Sequence, residues 1–191
     1  RLVTVEEDVP EALAMSLAGG SGAALAVGDA YLALAADDGR ARVMPLLPGA
    51  DPGIAAVVSA APWSAHDAKA ILRRGRIDGP LPTHDTMIAA YLLDPRRRGY
   101  PLDAIAEDEG ISFRAEGGAA EACDAARDAA TVRALTPLQE ARIADEGLGE
   151  LFHDIEMPLI SVLVSMENVG VAIDVGRLAE IRARVGTEIS S

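Results

Sequence analysis

Cysteine, aromatic residues and lysine are scarce in this sequence of 191 residues. The single cysteine, Cys123, excludes an intrachain disulfide and agrees with a reducing, cytoplasmic environment. Aromatic residues make up 3% of the chain, so the core must be built from Ala, Val, Leu and Ile. Hydrophobic runs stay shorter than the ~20 residues of a membrane-spanning helix, and the start lacks the pattern of a signal peptide. We therefore expect no membrane partner.

Positive charge is also in short supply. The formal net charge is −13, and Lys69 is the single lysine. Such a surface repels phosphate backbones, because sequence-independent affinity for DNA comes from Lys and Arg. The candidate nucleic-acid contacts are two local clusters, namely Arg73, Arg74 and Arg76, and Arg96, Arg97 and Arg98. Arginines at helix ends more commonly complement the helix dipole in solvent.

The pattern of elements predicts an α/β fold. Strands are expected over 2–5, 23–27, 31–35 and 41–46, with a helix over 8–17 and a hairpin turn at 37–39. Helices are expected over 54–60, 66–74, 85–93, 102–109, 119–135, 138–154, 155–169 and from 175 to the end, and residues 116–118 are expected to be mobile. Because the chain starts without Met and stops within a helical pattern, we interpret it as part of a longer protein.

Two stretches carry a resemblance to a known family. Residues 155–174 contain a Glu-x-Pro-Leu start, the pair Met166-Glu167, and a Gly170-Val segment that ends at Asp174. This combination resembles the junction between the exonuclease and polymerase domains of bacterial family A DNA polymerases (DNA polymerase I). Residues 66–72 and 85–95 are similar to central helices of the exonuclease domain. The resemblance implies an RNase H-like mixed sheet flanked by helices over 1–150, and a C-terminal helical extension, 151–191, that begins the polymerase thumb.

The resemblance also implies where catalytic residues should lie. Active members use two divalent metals that are held by carboxylates. The positions of the family ligands and of the orienting tyrosine are occupied here by Val27, Asp29, Ala68, Asp124 and Asp128, of which Val27, Ala68 and Asp124 represent losses. Asp67 lies one residue early, and a rotation of ~100° on a helix would turn it away from the site. By themselves, Asp29 could be a turn residue and Asp128 a solvated helix acid.

These losses predict a 3′–5′ exonuclease domain that is inactive, binds no metal and supports the polymerase domain. In the intact polymerase the resemblance implies DNA as partner, magnesium as cofactor, and a cytoplasmic, nucleoid-associated role in replication and repair. A first alternative is an active proofreading exonuclease, in which a shifted register lets Asp29, Asp67 and Asp128 converge with Asp37 or Asp38. A second is a protein-interaction module with an acidic surface. His66, His84 and His153 lack metal-ligand spacing and are not expected to be ligands.

Overall fold

The computed structural model describes residues 1–7, 23–35, 40–46, 51–75 and 80–189. The helix predicted over 8–17, the turn at 37–39, and Arg76, Asp37 and Asp38 lie outside these residues. The strands are β1 (Leu2–Glu7), β2 (Ala23–Val27), β3 (Tyr31–Ala35), β4 (Arg40–Pro45), β5 (Trp63–Ala65), β6 (His84–Asp85) and β7 (Arg114–Glu116). The helices are α1 (Asp51–Ala60), α2 (Ala68–Gly75), α3 (Thr86–Leu93), α4 (Leu102–Asp108), α5 (Ala120–Asp145), a short π-helix (Leu151–Glu156), α6 (Met157–Val169) and α7 (Val175–Ile189).

One mixed sheet organises the chain, with strand order β6-β5-β2-β3-β4-β1-β7. The neighbours β2 and β3, and β3 and β4, run antiparallel, as expected for the predicted meander. The remaining pairs are parallel, so the outer strands arrive through crossovers that carry helices. The predicted mixed sheet flanked by helices is confirmed.

Alternation along β3 separates two layers of core. Leu32 and Leu34 belong to a cluster that includes residues of α1, α2 and α6, whereas Ala33 and Ala35 belong to a cluster with α5. This is the period of two that a strand imposes on its side chains. The α5 face is built almost entirely of alanine, namely Ala122, Ala125, Ala126, Ala129 and Ala130. Such small side chains let the helix backbone approach the sheet closely.

Residues 116–118, for which the sequence predicts mobility, lie at and directly after the end of an edge strand. Arg114–Glu116 forms the edge strand β7, which pairs in parallel with β1. Gly117 and Gly118 pack against Val5, where an added Cβ would come within 3.2 Å and 3.0 Å of its atoms. A three-residue strand with two exposed charged residues has no hydrophobic pattern of its own. Its pairing with a distant strand is what makes it regular.

Helix α5 continues where the sequence predicts an interruption. Pro137 lies inside it, and the helix runs without a break to Asp145. A proline in a helix interior removes a hydrogen bond and costs about 3 kcal/mol. Leu135 and Gln139, on either side of Pro137, are buried. Tertiary packing therefore overrides the local preference of the proline.

The segment after residue 150 shares the core of the segment before it. Phe152, Met157, Ile160 and Val164 are buried in the cluster that contains Trp63. Helix α7, in contrast, has no buried residue among those described. The predicted domain boundary at 150 stays a prediction, and the apolar packing continues across it as far as Val164.

None of the described helices combines the length and apolar character that crossing a membrane would require.

Candidate active-site cleft

A cleft of about 290 Å³ opens beside the last residues of β2. Three of the candidate exonuclease positions meet there: Val27 from β2, Asp67 directly before α2, and Asp128 from α5. The rest of the lining consists of Leu25, Ala26, His66, Ala70, Ile71, Arg74, Leu102 and Val132. The fold therefore brings residues from three separate segments of the chain into one cleft.

The other candidate exonuclease positions, Asp29, Ala68 and Asp124, lie outside this lining. Asp29 is exposed in the three-residue turn between β2 and β3. Ala68 is fully buried at the start of α2, and its N–H donates to Oδ2 of Asp85 at 2.7 Å. Asp124 is exposed and accepts a hydrogen bond from Arg127 at 2.8 Å. Asp29 and Asp124 thus contribute no carboxylate to the cleft.

Asp67 occupies an unexpected backbone position. It precedes α2, which starts at Ala68 and not at His66 as the sequence predicts, and its φ is 56°. The expectation that helical rotation turns Asp67 away is therefore wrong, because Asp67 is outside the helix and lines the cleft. Its Oδ1 accepts the N–H of Ala70 at 3.2 Å, which caps the helix. Aspartate tolerates this left-handed conformation better than most residues.

Asp128 is already paired within the protein. Arg127 donates to its Oδ1 from Nη2 at 3.0 Å and from Nε at 3.2 Å. Burial raises the pKa of Asp128, and the hydrogen bonds from Arg127 oppose this rise. The carboxylate that best matches the family motif is thus partly desolvated and hydrogen-bonded to the Arg127 guanidinium.

A buried carboxylate that the sequence reasoning missed lies behind the cleft. Asp85 is 1% exposed and caps α3 by accepting the N–H groups of Met87 and Ile88 at 2.9 and 3.3 Å. The same carboxylate accepts the N–H groups of Asp67 and Ala68 at the start of α2. Burial raises the pKa of Asp85, and these hydrogen bonds oppose the rise. An Asp directly before an apolar helix is the sequence signal that could have identified it.

The predicted arginine clusters are largely bound to protein acceptors. Arg73 pairs with Glu167 at 3.1 Å, and Arg74 donates to the carbonyl oxygens of Gly28 and Asp29. Arg96 pairs with Asp94 at 3.5 Å, and Arg97 forms a short ion pair with Asp108. Arg98 is exposed, and Arg76 lies outside the described residues. A phosphate would have to compete with these contacts.

The donor set of the cleft does not fit a pair of divalent metals. Hard cations need several carboxylate oxygens, and here Val27 is apolar, Asp67 caps a helix and Asp128 binds Arg127. Within residues 1–7, 23–35, 40–46, 51–75 and 80–189, no three His, Cys, Asp or Glu side chains are placed to hold a metal ion. The shifted register remains a prediction for Asp37 and Asp38, which the structure does not describe.

Two histidines are desolvated in different places. His66 lines the cleft, where its Nδ1 lies 2.9 Å from the Thr86 hydroxyl, and burial lowers its pKa. His84 is fully buried with Nε2 3.0 Å from Oε1 of Gln139. Because Nε2 of Gln139 donates to the carbonyl of Thr86, its Oε1 is the acceptor and His84 carries its proton on Nε2. Burial lowers the pKa of His84 as well.

These two histidines predict a loss of stability in mild acid. Their folded pKa values lie below the ordinary value of 6.5, so the unfolded chain takes up protons first as the pH falls through it. We expect the melting temperature to fall between about pH 7 and pH 5.5. The His84→Gln variant, which loses one of the two groups, should show a shallower decline in thermal denaturation. Equal declines in the variant and the wild type would contradict this assignment.

Comparison with known proteins supports the sequence resemblance. No family model matches the chain. DNA polymerase I of Mycobacterium tuberculosis (strain H37Rv) is 30% identical over 188 residues, which covers 85% of this chain and 21% of that protein. DNA polymerase I of Bacillus subtilis is 27% identical over 119 residues, covering 55% of this chain and 14% of that protein. The chain spans about a fifth of the length of the mycobacterial relatives it matches.

Solved structures establish the fold. The POL domain of Pol1 from M. smegmatis, in complex with DNA primer-template and dNTP, superposes with a TM-score of 0.74 and 24% identity. The match covers 98% of this chain and 35% of that chain. NrnC of Brucella melitensis with bound Mg²⁺ gives a TM-score of 0.63 at 15% identity, covering 91% of this chain and 98% of that chain. The predicted RNase H-like α/β arrangement is confirmed.

Proposed function

We propose, from the premise that this chain belongs to the bacterial DNA polymerase I family, that it is a catalytically silent 3′–5′ exonuclease domain that supports the polymerase domain. In this proposal, residues 151–191 begin the polymerase domain. The proposal extends to the intact protein, which would synthesise DNA in the cytoplasm during replication and repair. Magnesium would serve that synthesis in a palm subdomain outside these 191 residues.

The chemistry of the cleft carries this proposal. In-line hydrolysis by two metals needs a cage of carboxylates that clamps both the attacking and the leaving oxygen. Val27 supplies no oxygen at the first ligand position, and Asp128 accepts two hydrogen bonds from Arg127. The remaining carboxylate of the lining, Asp67, fixes the start of α2. The cleft therefore offers fewer carboxylate ligands than the reaction needs.

The supporting role is favoured by contacts between α2 and α6. Glu167 accepts from Lys69 at 2.7 Å through one oxygen and from Arg73 at 3.1 Å through the other. Burial of Phe152 and Ile160 adds apolar packing to the same junction. An exposed ion pair contributes little by itself. Together, the two ion pairs of Glu167 and the buried side chains would hold the exonuclease-like part and the start of the polymerase domain in one orientation.

The apolar surface of the last two helices also favours a supporting role. Large hydrophobic residues that are exposed in this region are Leu159, Val162, Leu163, Met166, Val169, Val175, Leu178, Ile181, Val185 and Ile189. A concentration of exposed apolar side chains marks a surface that another protein part covers. The polymerase domain of the same chain would be that part. The acidic interaction module instead requires an apolar patch away from this junction.

An active exonuclease is the second candidate. The observation in its favour is that Asp67 and Asp128 line one cleft together with His66. Each aspartate already accepts hydrogen bonds through its Oδ1, Asp67 from the Ala70 N–H and Asp128 from Arg127, so a metal bound by both would compete with these contacts. The described residues thus favour the silent domain.

The deciding experiment is digestion of a 3′-labelled single strand by the 191-residue chain, together with calorimetric titration of manganese and magnesium. We expect neither trimming nor binding at millimolar metal. Metal-dependent trimming that Asp67→Asn abolishes would show that the exonuclease is active. This variant removes the charge yet keeps a side chain that caps helices and adopts left-handed conformations, so α2 should stay intact. Circular dichroism of the variant provides the folding control.

A further inference from the structure

Arg74 makes the most specific polar contact in the cleft. Its side chain leaves the last turn of α2 and reaches the turn that follows β2. Nη1 donates to the carbonyl of Gly28 at 2.8 Å, and Nη2 donates to the carbonyl of Asp29 at 2.7 Å. Both bonds come from one planar guanidinium to two consecutive carbonyls. The contact joins two segments 45 residues apart in sequence.

This position is where the family resemblance places two metal ligands. Val27 and Asp29 align with the carboxylate pair of the first sheet strand in the family. Arg74 binds the carbonyl of Gly28, which lies between them, and the carbonyl of Asp29 itself. The Asp29 side chain is exposed and does not line the cleft, whereas Arg74 does. An exposed guanidinium, held by two hydrogen bonds, therefore lines the cleft in which the resemblance would place metal ions.

The guanidinium suits this role for physical reasons. It stays charged at all relevant pH values, and its rigid fork binds two oxygen atoms at once. Carbonyl oxygens are also ligands that hard cations accept. A guanidinium that binds the carbonyls at the end of β2 can thus stabilise the turn, and it repels any divalent cation that approaches.

We propose that Arg74 is a built-in cation that holds the turn after β2 and repels metal ions from the cleft. This proposal rests on the proposed loss of exonuclease activity. It predicts that the turn after β2 depends on Arg74 and not on metal. It also predicts that restoring a carboxylate at position 27 is insufficient to restore metal binding while Arg74 is present.

The first test measures hydrogen exchange in the presence of a chelator. The amides of Gly28 and Leu46, which donate to Tyr31 and Ala30, close the turn and report on its opening. In Arg74→Gln we expect their exchange to accelerate about tenfold. Arg73→Gln is the matched control, because Arg73 is the neighbouring arginine on α2 and contacts Glu167 instead. Equal exchange in the two variants would overturn the structural role.

The second test measures manganese binding through paramagnetic broadening of amide signals around the cleft. Val27→Asp alone should show no broadening at millimolar manganese, since the introduced carboxylate pairs with Arg74. The double variant Val27→Asp/Arg74→Gln should show broadening confined to the cleft. Broadening in both variants, or in neither, would overturn the claim that Arg74 keeps metal ions out of the cleft.

The two proposals can fail separately. Trimming of DNA by the wild-type chain would refute the silent exonuclease. The exchange experiment contains neither DNA nor metal, so its outcome bears on Arg74 alone. An active wild type with unchanged exchange in Arg74→Gln would refute both.

Discussion

Replacing Asp85 with alanine is expected to lower the free energy of unfolding by about 3 kcal/mol or more. The Asp85 carboxylate accepts N–H groups at the start of α2 and of α3, so a single substitution removes a cap from each helix, and α2 keeps the bond from Ala70 to Asp67. It would also leave buried N–H groups without acceptors, because Ala68 is 0% exposed. The N–H of Asp67, a lining residue of the cleft, also donates to Asp85, so this side of the cleft should loosen as well.

Thermal and urea denaturation would measure this effect. For a chain of this length the melting temperature should fall by about 6–12 °C. Asp85→Asn should be intermediate, because an amide oxygen can still accept from Met87 while its NH₂ group faces the Ala68 N–H. Asp108→Asn is the surface control, since its ion pair with Arg97 is largely exposed on the Asp side. A loss for Asp85→Ala no larger than for Asp108→Asn would contradict the double cap.

The sequence predicts the central meander well because that part depends on neighbouring residues. Alternation in residues 31–35 and the short apolar run at 23–27 have the period and length of strands. The end of α3 at Leu93 is equally local, since Asp94 and Pro95 follow it directly. These features are visible in any short window of the sequence.

Other parts of the fold depend on contacts between distant residues. Strand β7 exists because β1 offers it an edge, and α5 passes through Pro137 because its flanking side chains are buried. The sequence predicts that α2 begins at His66, two residues before its observed start at Ala68. The N–H of Ala68 binds the carboxylate of Asp85, 17 residues away, and this contact helps to fix where the helix begins. Propensity carries no information about such partners.

The candidate site was predictable in position but not in geometry. The family resemblance assigns Val27 and Asp128 to one metal site, and the structure has both in the lining of one cleft. The resemblance could not reveal that Arg127 binds Asp128 or that Arg74 binds the turn after β2. In the sequence, Arg74 is a candidate phosphate contact and Arg127 belongs to neither of the two arginine clusters. Their roles follow from side-chain directions that only the folded chain defines.

Phe152→Ala is the second substitution with a large expected effect, at about 3–5 kcal/mol of unfolding free energy. The ring is 0% exposed, and its centroid lies 5.1 Å from that of His84 on β6 and 4.9 Å from that of His153. It belongs to the short π-helix but is buried in the cluster that contains Trp63. Truncation would leave a cavity where the C-terminal segment meets the sheet.

The chain offers a matched control, because Phe113 is its other phenylalanine and is only half-buried at the margin of the alanine-rich cluster. Phe113→Ala should cost clearly less in urea denaturation, and Phe152→Leu should cost about 1 kcal/mol. A cost for Phe152→Ala equal to that for Phe113→Ala would show that Phe152 does not anchor the junction.

The same variant tests whether the junction holds α6 against the sheet. Lys69 is the single lysine of the chain, and its ammonium group binds Glu167 on α6. If Phe152 anchors this helix, Phe152→Ala should increase the rate at which an amine-reactive reagent modifies Lys69, measured by mass spectrometry of the Lys69 peptide under native conditions. Glu167→Gln gives the rate expected when the ion pair alone is weakened. The variant could instead be destabilised while Lys69 is modified at the wild-type rate. That result would show that the cavity weakens the sheet and that the ion pair alone holds α6.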